Sequence, residues 1–401
     1  MKNVPNLRFK EFSGEWKQHA LGDIFDFYTT NSFSRDFLDN DKGRVKNIHY
    51  GDIHMKFPTL LDVKNTQIPY VKEAVDLSKI SIESYCKNGD VVIADASEDY
   101  NDIGKAIELK SIGEEKIIAG LHTILARDNK GIMVNGFKGY LMNSPSVRKQ
   151  IKVYAAGAKV LGISKANISK VKLLIPSGME QEKIAAFFSL IDKKIELQTE
   201  KVEELKNYKK GLMQKIFSQE LRFKDENGNE YPEWEHTKLS QVAEIYQPQT
   251  ISQQQFSEKG YPVYGANGVI GYFTEYNHLT PQIAVTCRGN TCGTVNLTQE
   301  KSWITGNAMV INTDNFESKV EKSFLFFLLQ SSNLSYMITG SGQPQLTREV
   351  MNLHKIWLPC IEEQIKISHL LSALTNSVQK ETQKLSYLQE YKKGLLQQMF
   401  I

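Results

Sequence analysis

The sequence predicts an α+β protein in which two globular blocks are joined by two long helices that form an intramolecular antiparallel coiled coil, with pseudo-two-fold symmetry. Three observations carry this. First, the run Tyr208-Lys209-Lys210-Gly211-Leu212 returns as Tyr391-Lys392-Lys393-Gly394-Leu395, a displacement of 183 residues. The same displacement maps Pro176 onto Pro359, Glu180-Gln181 onto Glu363-Gln364, and Gly157 onto Gly340. Two copies at so long a period mean a duplicated unit and not a solenoid. Second, residues 180–217 place Ile191, Ile195, Gln198, Val202, Leu205, Lys209, Leu212 and Ile216 at alternating spacings of four and three. Their counterparts are Leu374, Val378, Glu381, Leu385, Leu388, Lys392, Leu395 and Met399. This narrow apolar stripe needs a covering helix. Third, the stretch before each helix carries short β-type runs punctuated by Gly- and Asn-rich turns.

The elements follow in order. Residues 1–178 form the first block, with strands such as 91–94 and 123–126, an amphipathic helix near 140–154, a loop at Ala155-Ala156-Gly157-Ala158-Lys159, an N-cap at Ser164 and a strand at 171–175 closed by Pro176. Residues 179–217 are the first coiled-coil helix, and the polar, turn-rich 218–232 is a linker. There the repeat restarts, since Leu221-Arg222-Phe223 echoes Leu7-Arg8-Phe9 and Glu233-Trp234 echoes Glu15-Trp16. The second block, 233–361, has a strand at Ile283-Ala284-Val285-Thr286 and a helix at 324–336, and residues 362–401 are the second coiled-coil helix. The cheapest partner for each apolar stripe is the other copy. A helix of about 38 residues spans roughly 57 Å. Antiparallel pairing of two such helices is expected to hold the blocks at opposite ends of a rod. The polar pairs Gln198/Glu381 and Lys209/Lys392 interrupt the stripe at matching places, where they are expected to fix register.

Composition narrows the function. The 401 residues suffice for two domains with real cores, and 41% hydrophobic with 24% charged residues is ordinary for a soluble chain. A net charge of +3 means that a nucleic-acid partner would be held by local patches. Four scattered cysteines (Cys86, Cys287, Cys292, Cys360) fit a reducing, cytoplasmic setting. No run is long and apolar enough for a membrane span, and no signal-peptide pattern opens the chain.

The phrases Tyr264-Gly265-Ala266-Asn267-Gly268, Arg288-Gly289-Asn290 and Gly340-Ser341-Gly342-Gln343-Pro344-Gln345-Leu346-Thr347, with the helix starts Glu180-Gln181 and Glu363-Gln364, resemble the specificity subunit of type I restriction–modification systems. The resemblance covers essentially the whole chain. It implies two target-recognition domains on an antiparallel coiled coil, a double-stranded DNA target read in two unlike halves with an unread spacer, and assembly with two modification (adenine-N6 methyltransferase) subunits and with restriction subunits. It implies no cofactor in this chain, with S-adenosylmethionine, ATP and magnesium on the partner subunits. The helix would then act as a ruler between half-sites about one to one-and-a-half turns apart.

The residues agree that the chain is not an enzyme. It has no Asn-Pro-Pro-Tyr-type base pocket, no Gly-rich cofactor loop and no Walker A pattern. His49 and His54 around Asp52 are too few for a metal site, and Asp95, Glu98 and Asp99 read as a solvated turn. No catalytic residue and no metal site is expected. Groove readers use Arg or Lys for guanine and Asn or Gln for adenine. On that basis Arg44, Lys46, Asn47, His49, Asn101, Lys105 and Lys159 are candidate DNA contacts in the first block. Those in the second are Asn267, Tyr272, Arg288, Asn290, Asn307, Gln343, Gln345 and Arg348. Ile191, Ile195, Val202, Leu205, Leu212, Leu374, Val378, Leu385, Leu388 and Leu395 are the expected coiled-coil interface, while Trp16, Trp234 and Trp303 are read as core. Two alternatives stay open: a specificity subunit whose partner fuses nuclease and methyltransferase, and a coiled-coil scaffold that binds protein only.

Overall fold

Strand and helix patterning resolve into two units, each with its own core. The structure, a computed structural model, describes residues 3–266, 268–340 and 342–401. One unit comprises Met1–Thr199 with Lys384–Ile401, the other Glu200–Gln383. In the first, a five-stranded sheet runs in the order Asp26–Tyr28, Thr123–Arg127, Val91–Ala94, Ala106–Lys110, Leu60–Asp62. Its central strand is apolar at every residue and wholly buried, as a strand covered on both faces must be. A four-stranded sheet, Ile117–Ala119, Lys46–Ile48, Tyr70–Val71, Leu38–Asp39, packs beside it. In the second unit the order is Glu244–Tyr246, Ala308–Asn312, Ile283–Thr286, Val295–Leu297, with a smaller sheet of Gly268–Phe273, Tyr261–Gly265 and Trp303–Ile304. Trp16, Trp234 and Trp303 are buried in these cores.

The long helices are Gly178–Phe217 and Ile361–Met399. Each unit takes the start of one and the end of the other. The first core receives Ile184 and Phe188 from one helix and Leu395, Met399 and Phe400 from the other. The second receives Ile367 and Leu371 with Met213 and Ile216. The pairing is antiparallel: Asp192 meets Lys392 at 2.5 Å within the first unit, and Lys201 meets Glu381 at 2.7 Å within the second. All ten expected interface residues are buried or half-buried, between neighbours that are largely exposed.

Each helix begins at a repeated polar joint. Glu180 is buried and accepts from Arg8 Nε and Nη2, both at 2.7 Å, and from Trp16 Nε1 at 3.4 Å. Glu363 does the same with Arg222 Nη2 at 2.9 Å and Trp234 Nε1 at 3.2 Å. Gln181 accepts from Val134 N and donates to the carbonyls of Ile132 and Pro176, while Gln364 accepts from Glu321 N and donates to those of Lys319 and Pro359. A buried carboxylate kept paired and hydrogen-bonded avoids the cost of an isolated charge.

Two expectations are corrected. The helix at 140–154 is two, Lys138–Met142 and Pro145–Tyr154. Pro145 has no N–H to donate, and Ser144 before it is extended at φ −66°, ψ 148°. The helix at 324–336 spans only Lys322–Ser331, capped by the Glu321 carboxylate on Phe324 N. The polar seam lysines also reach aromatic rings of the globular blocks, and Lys392 keeps its pair with Asp192 of the other helix. Lys209 lies 5.2 Å over the Phe327 ring and Lys392 5.5 Å over the Tyr140 ring, each within its own unit.

Candidate nucleic-acid interface

In the second unit the backbone gathers distant candidates onto one surface. The strand Ile283–Thr286 ends at Cys287, whose N donates to the Asn307 carbonyl at 3.1 Å and whose carbonyl accepts from Leu346 N at 3.0 Å. Gly289 N donates to the Pro344 carbonyl, and Arg288 pairs with Gln345 in a β-bridge that Gln345 shares with Thr339. Gly340 makes the return possible at φ +90°, where a Cβ would stand 2.6 Å from the Gln343 carbonyl oxygen. Arg288, Asn290, Asn307, Gln343 and Gln345 therefore share one loop cluster, all exposed. Thr286 and Thr291 hydroxyls both donate to the Ala266 carbonyl, which ties the tip of the hairpin Tyr261–Gly265/Gly268–Phe273 to the cluster. Tyr272 stands farther along that hairpin, half exposed. Arg348 is exposed at the first position of the helix Arg348–Leu353. Asn267 lies outside the described residues.

The first-unit candidates scatter. Arg44 is exposed and lines a depression with Lys64, Lys116 and the acids Glu114 and Glu115. Lys46, Asn47 and His49 are buried, so the expectation of exposed polar readers is not met there. Lys46 pairs with Glu115 at 3.1 Å, and Asn47 donates to the Asn31 side chain at 3.1 Å. They sit in and just after the strand Lys46–Ile48, which is buried at every residue and so offers no exposed face. His49 caps the helix Tyr50–Met55, its Nδ1 accepting from Gly51 N at 3.1 Å. Burial, then the Arg35 charge, pushes its pKa down to about 4. Asp52, once weighed as a metal ligand, is held by both Arg35 Nη atoms at 2.7 and 2.8 Å. Lys105 Nζ donates to the His54 carbonyl. Asn101 is exposed in the turn after Asp99, where its Oδ1 accepts from Lys152. Lys159 is exposed in the loop before Leu161–Gly162.

Sequence reasoning missed a cluster beside these. His122 Nδ1 is 3.5 Å from Asp95 Oδ1, with side chains 52% and 30% exposed, and the Tyr50 ring lies 5.3 Å from the His122 ring. Burial raises the Asp95 carboxyl, and His122 opposes that rise. A recess lined by Asn31, Phe33, Ser84, Asp95 and His122 opens next to it. His122 sits in an apolar stretch, Leu121-His122-Thr123-Ile124, with no local signal; only its φ of +53° sets it apart.

Comparison with known proteins decides the family. The profile of the type I restriction modification DNA specificity domain matches residues 13–207 and 231–390. The chain belongs to this family. As a specificity chain it serves target recognition, not bond-making. It is 25% identical to the type I restriction enzyme MjaVIII specificity subunit of Methanocaldococcus jannaschii over 293 residues, 64% of this chain and 68% of that one. To the putative MjaX specificity subunit of the same organism it is 23% identical, covering 98% and 95% of the two chains. The fold of this specificity chain matches the crystal structure of a type I S subunit from M. genitalium with a TM-score of 0.64, at 13% identity and 99% coverage of both. A second solved structure, described as “Structural basis underlying complex assembly and conformational transition of the type I R-M system”, matches with a TM-score of 0.54 at 13% identity, covering 95% and 96%. Among the described residues no helix is long and apolar enough to cross a membrane.

Proposed function

We propose that the blocks at 1–178 and 233–361 are two target-recognition domains that read the unlike halves of one bipartite DNA site, on behalf of two modification subunits that methylate adenine N6 and of restriction subunits in the full assembly. The supporting observation is the loop cluster of the second unit, where Arg288, Asn290, Asn307, Gln343 and Gln345 converge. A guanidinium suits guanine O6 and N7, and amides suit adenine N6 and N7, so this set carries base-reading chemistry rather than phosphate binding alone. Tyr272 and Arg348 flank it, and Arg44 and Lys159 supply cations suited to phosphate in the first unit.

The test separates reading from chemistry. The purified chain transfers no methyl group by itself, and site-specific adenine methylation arises when the modification subunits are added. Methylation by the chain alone contradicts the proposal. A protein-only scaffold is distinguished by gel shift of the assembled complex in rising salt. Phosphate contacts predict a steep linear fall of log affinity with log salt, and no DNA shift at any salt favours the scaffold.

A further inference from the structure

The two units build the same small frame from sequences that do not resemble each other there. In the first, Asp95 N donates to the His122 carbonyl at 3.0 Å, Ile163 N donates to the Asp95 carbonyl at 2.9 Å, and Ala96 pairs with Gly162. In the second, Cys287 N donates to the Asn307 carbonyl at 3.1 Å, Leu346 N donates to the Cys287 carbonyl at 3.0 Å, and Arg288 pairs with Gln345. The loop closures correspond as well: Ala156 bridges Gly162, and Thr339 bridges Gln345. Each loop turns on a glycine that no other residue replaces easily, Gly157 at φ +140° and Gly340 at φ +90°. The turn between the two inner strands ends alike, with Gly104 N on the Ala94 carbonyl at 2.9 Å and Gly293 N on the Thr286 carbonyl at 2.8 Å. Sheet register agrees, since Thr123 opposes Ala94 and Ala308 opposes Thr286.

This correspondence of backbone bonds and registers places Asp95 where Cys287 stands, Ala96 where Arg288 stands and His122 where Asn307 stands. The strand ends match too: Gly120 N reaches the Ile48 carbonyl as Thr305 N reaches the Tyr264 carbonyl, so Tyr50 falls at Ala266. We infer that Asp95 and His122, with Tyr50 packed against the His122 ring, are the specificity-determining residues of the first unit, reading the half-site that the second unit does not. The inference rests on the reading of the second unit's loop cluster as a DNA interface and extends it to His122, which no sequence pattern marks, and to Asp95, which sequence reads as part of a solvated turn and the structure holds half-buried against His122.

The chemistry of the two sets differs in the way two unlike half-sites require. The second unit presents a guanidinium and amides. The first presents a carboxylate, which accepts hydrogen bonds and suits the cytosine N4 amino group, beside an imidazole and a phenol. Ala96 removes the arginine, so guanine readout through that position is absent from the first unit. Lys159 and Asn101 lie on the flanking loops of the frame. Arg44 and the buried Lys46 do not belong to it.

The test uses the full chain assembled with its modification subunits. Two duplex pools are offered, one randomised in each half-site with the other half fixed, and bound sequences are counted. Three variants are compared with the wild type: Asp95→Asn, His122→Asn and Arg288→Lys. His122→Asn carries the second unit's residue into the first, and asparagine accepts the φ of +53° found there, so that variant keeps its backbone. Asp95→Asn and His122→Asn are expected to lose roughly tenfold to a hundredfold discrimination at one or two positions of a single half-site, the size of one base contact. Arg288→Lys is expected to do the same in the other half only. Wild-type preferences in both halves for Asp95→Asn and His122→Asn, with Arg288→Lys altered, overturn this inference and leave the proposed function standing. Unchanged preferences for all three overturn both.

Discussion

At the scale of single residues the chain keeps charge out of its core unless a partner is fixed in place. Glu180 and Glu363 are the clearest cases, each buried against an arginine and a tryptophan N–H. Removing one partner of such a pair leaves the other charge stranded, so Glu363→Ala is expected to destabilise by about 3 kcal/mol. Urea unfolding of the full chain measures it. His49 gives a pH-dependent counterpart. Its folded pKa of about 4 lies below the ordinary 6.5, because burial penalises the charged ring and the nearby Arg35 charge adds to that. The unfolded chain therefore takes up the proton first. The contribution is complete above pH 6.5 and is lost as pH falls toward 4, by up to about 3 kcal/mol. Burial lowers His278 and His354 as well, which slope the same way. The reading is thus the difference between wild type and His49→Gln, and the variant's midpoints are expected to fall less from pH 7 to pH 4.5. Residue identity alone announced the paired glutamates, because the repeat printed them twice. It did not announce Asp95 and His122, whose partnership is made by sheet register across 27 positions of chain.

The element scale is where sequence spoke most plainly. The four-three stripe from Ile191 to Ile216 and its copy locate the long helices to within a few residues, because a seam that must meet another helix tolerates few exceptions. The exceptions have partners that helical spacing cannot reveal: Lys209 and Lys392 each extend over an aromatic ring of a globular block, and Lys392 also pairs with Asp192 of the other helix. The two differ in what surrounds them. Burial pulls the Lys209 pKa down, whereas Lys392 is paired with Asp192, which also accepts from the Tyr140 hydroxyl at 2.8 Å. Lys209→Leu is therefore expected to be neutral or stabilising by about 1 kcal/mol, and Lys392→Leu to cost about 1–2 kcal/mol by leaving the carboxylate without its cation. Denaturant midpoints of the two variants, compared at one pH, check the contrast in sign. The short helices were less legible. Their apolar faces continue across 138–154, and only Pro145, with its demand on Ser144, divides them.

For the molecule as a whole, duplication explains both what could be read and what could not. Two units share the order of four main-sheet strands, helix joints and a loop frame, and the joints and frame are marked in the sequence by glycine, proline and the paired Glu-Gln positions. The parts that distinguish the units are side chains set on that frame, and they follow no shared pattern, as the proposed reading of two unlike half-sites requires. The second unit's proposed readers are legible because Arg, Asn and Gln lie close together in turn-rich segments. Those proposed for the first unit are not, because a carboxylate and an imidazole at strand ends resemble ordinary core-edge polarity. The measurement that bears most directly on the account is the sequence of the methylated sites when this chain is expressed with its modification subunits. The account predicts one motif of two different halves separated by a spacer of fixed length in which any base is accepted. A continuous motif, or two identical halves, would contradict it.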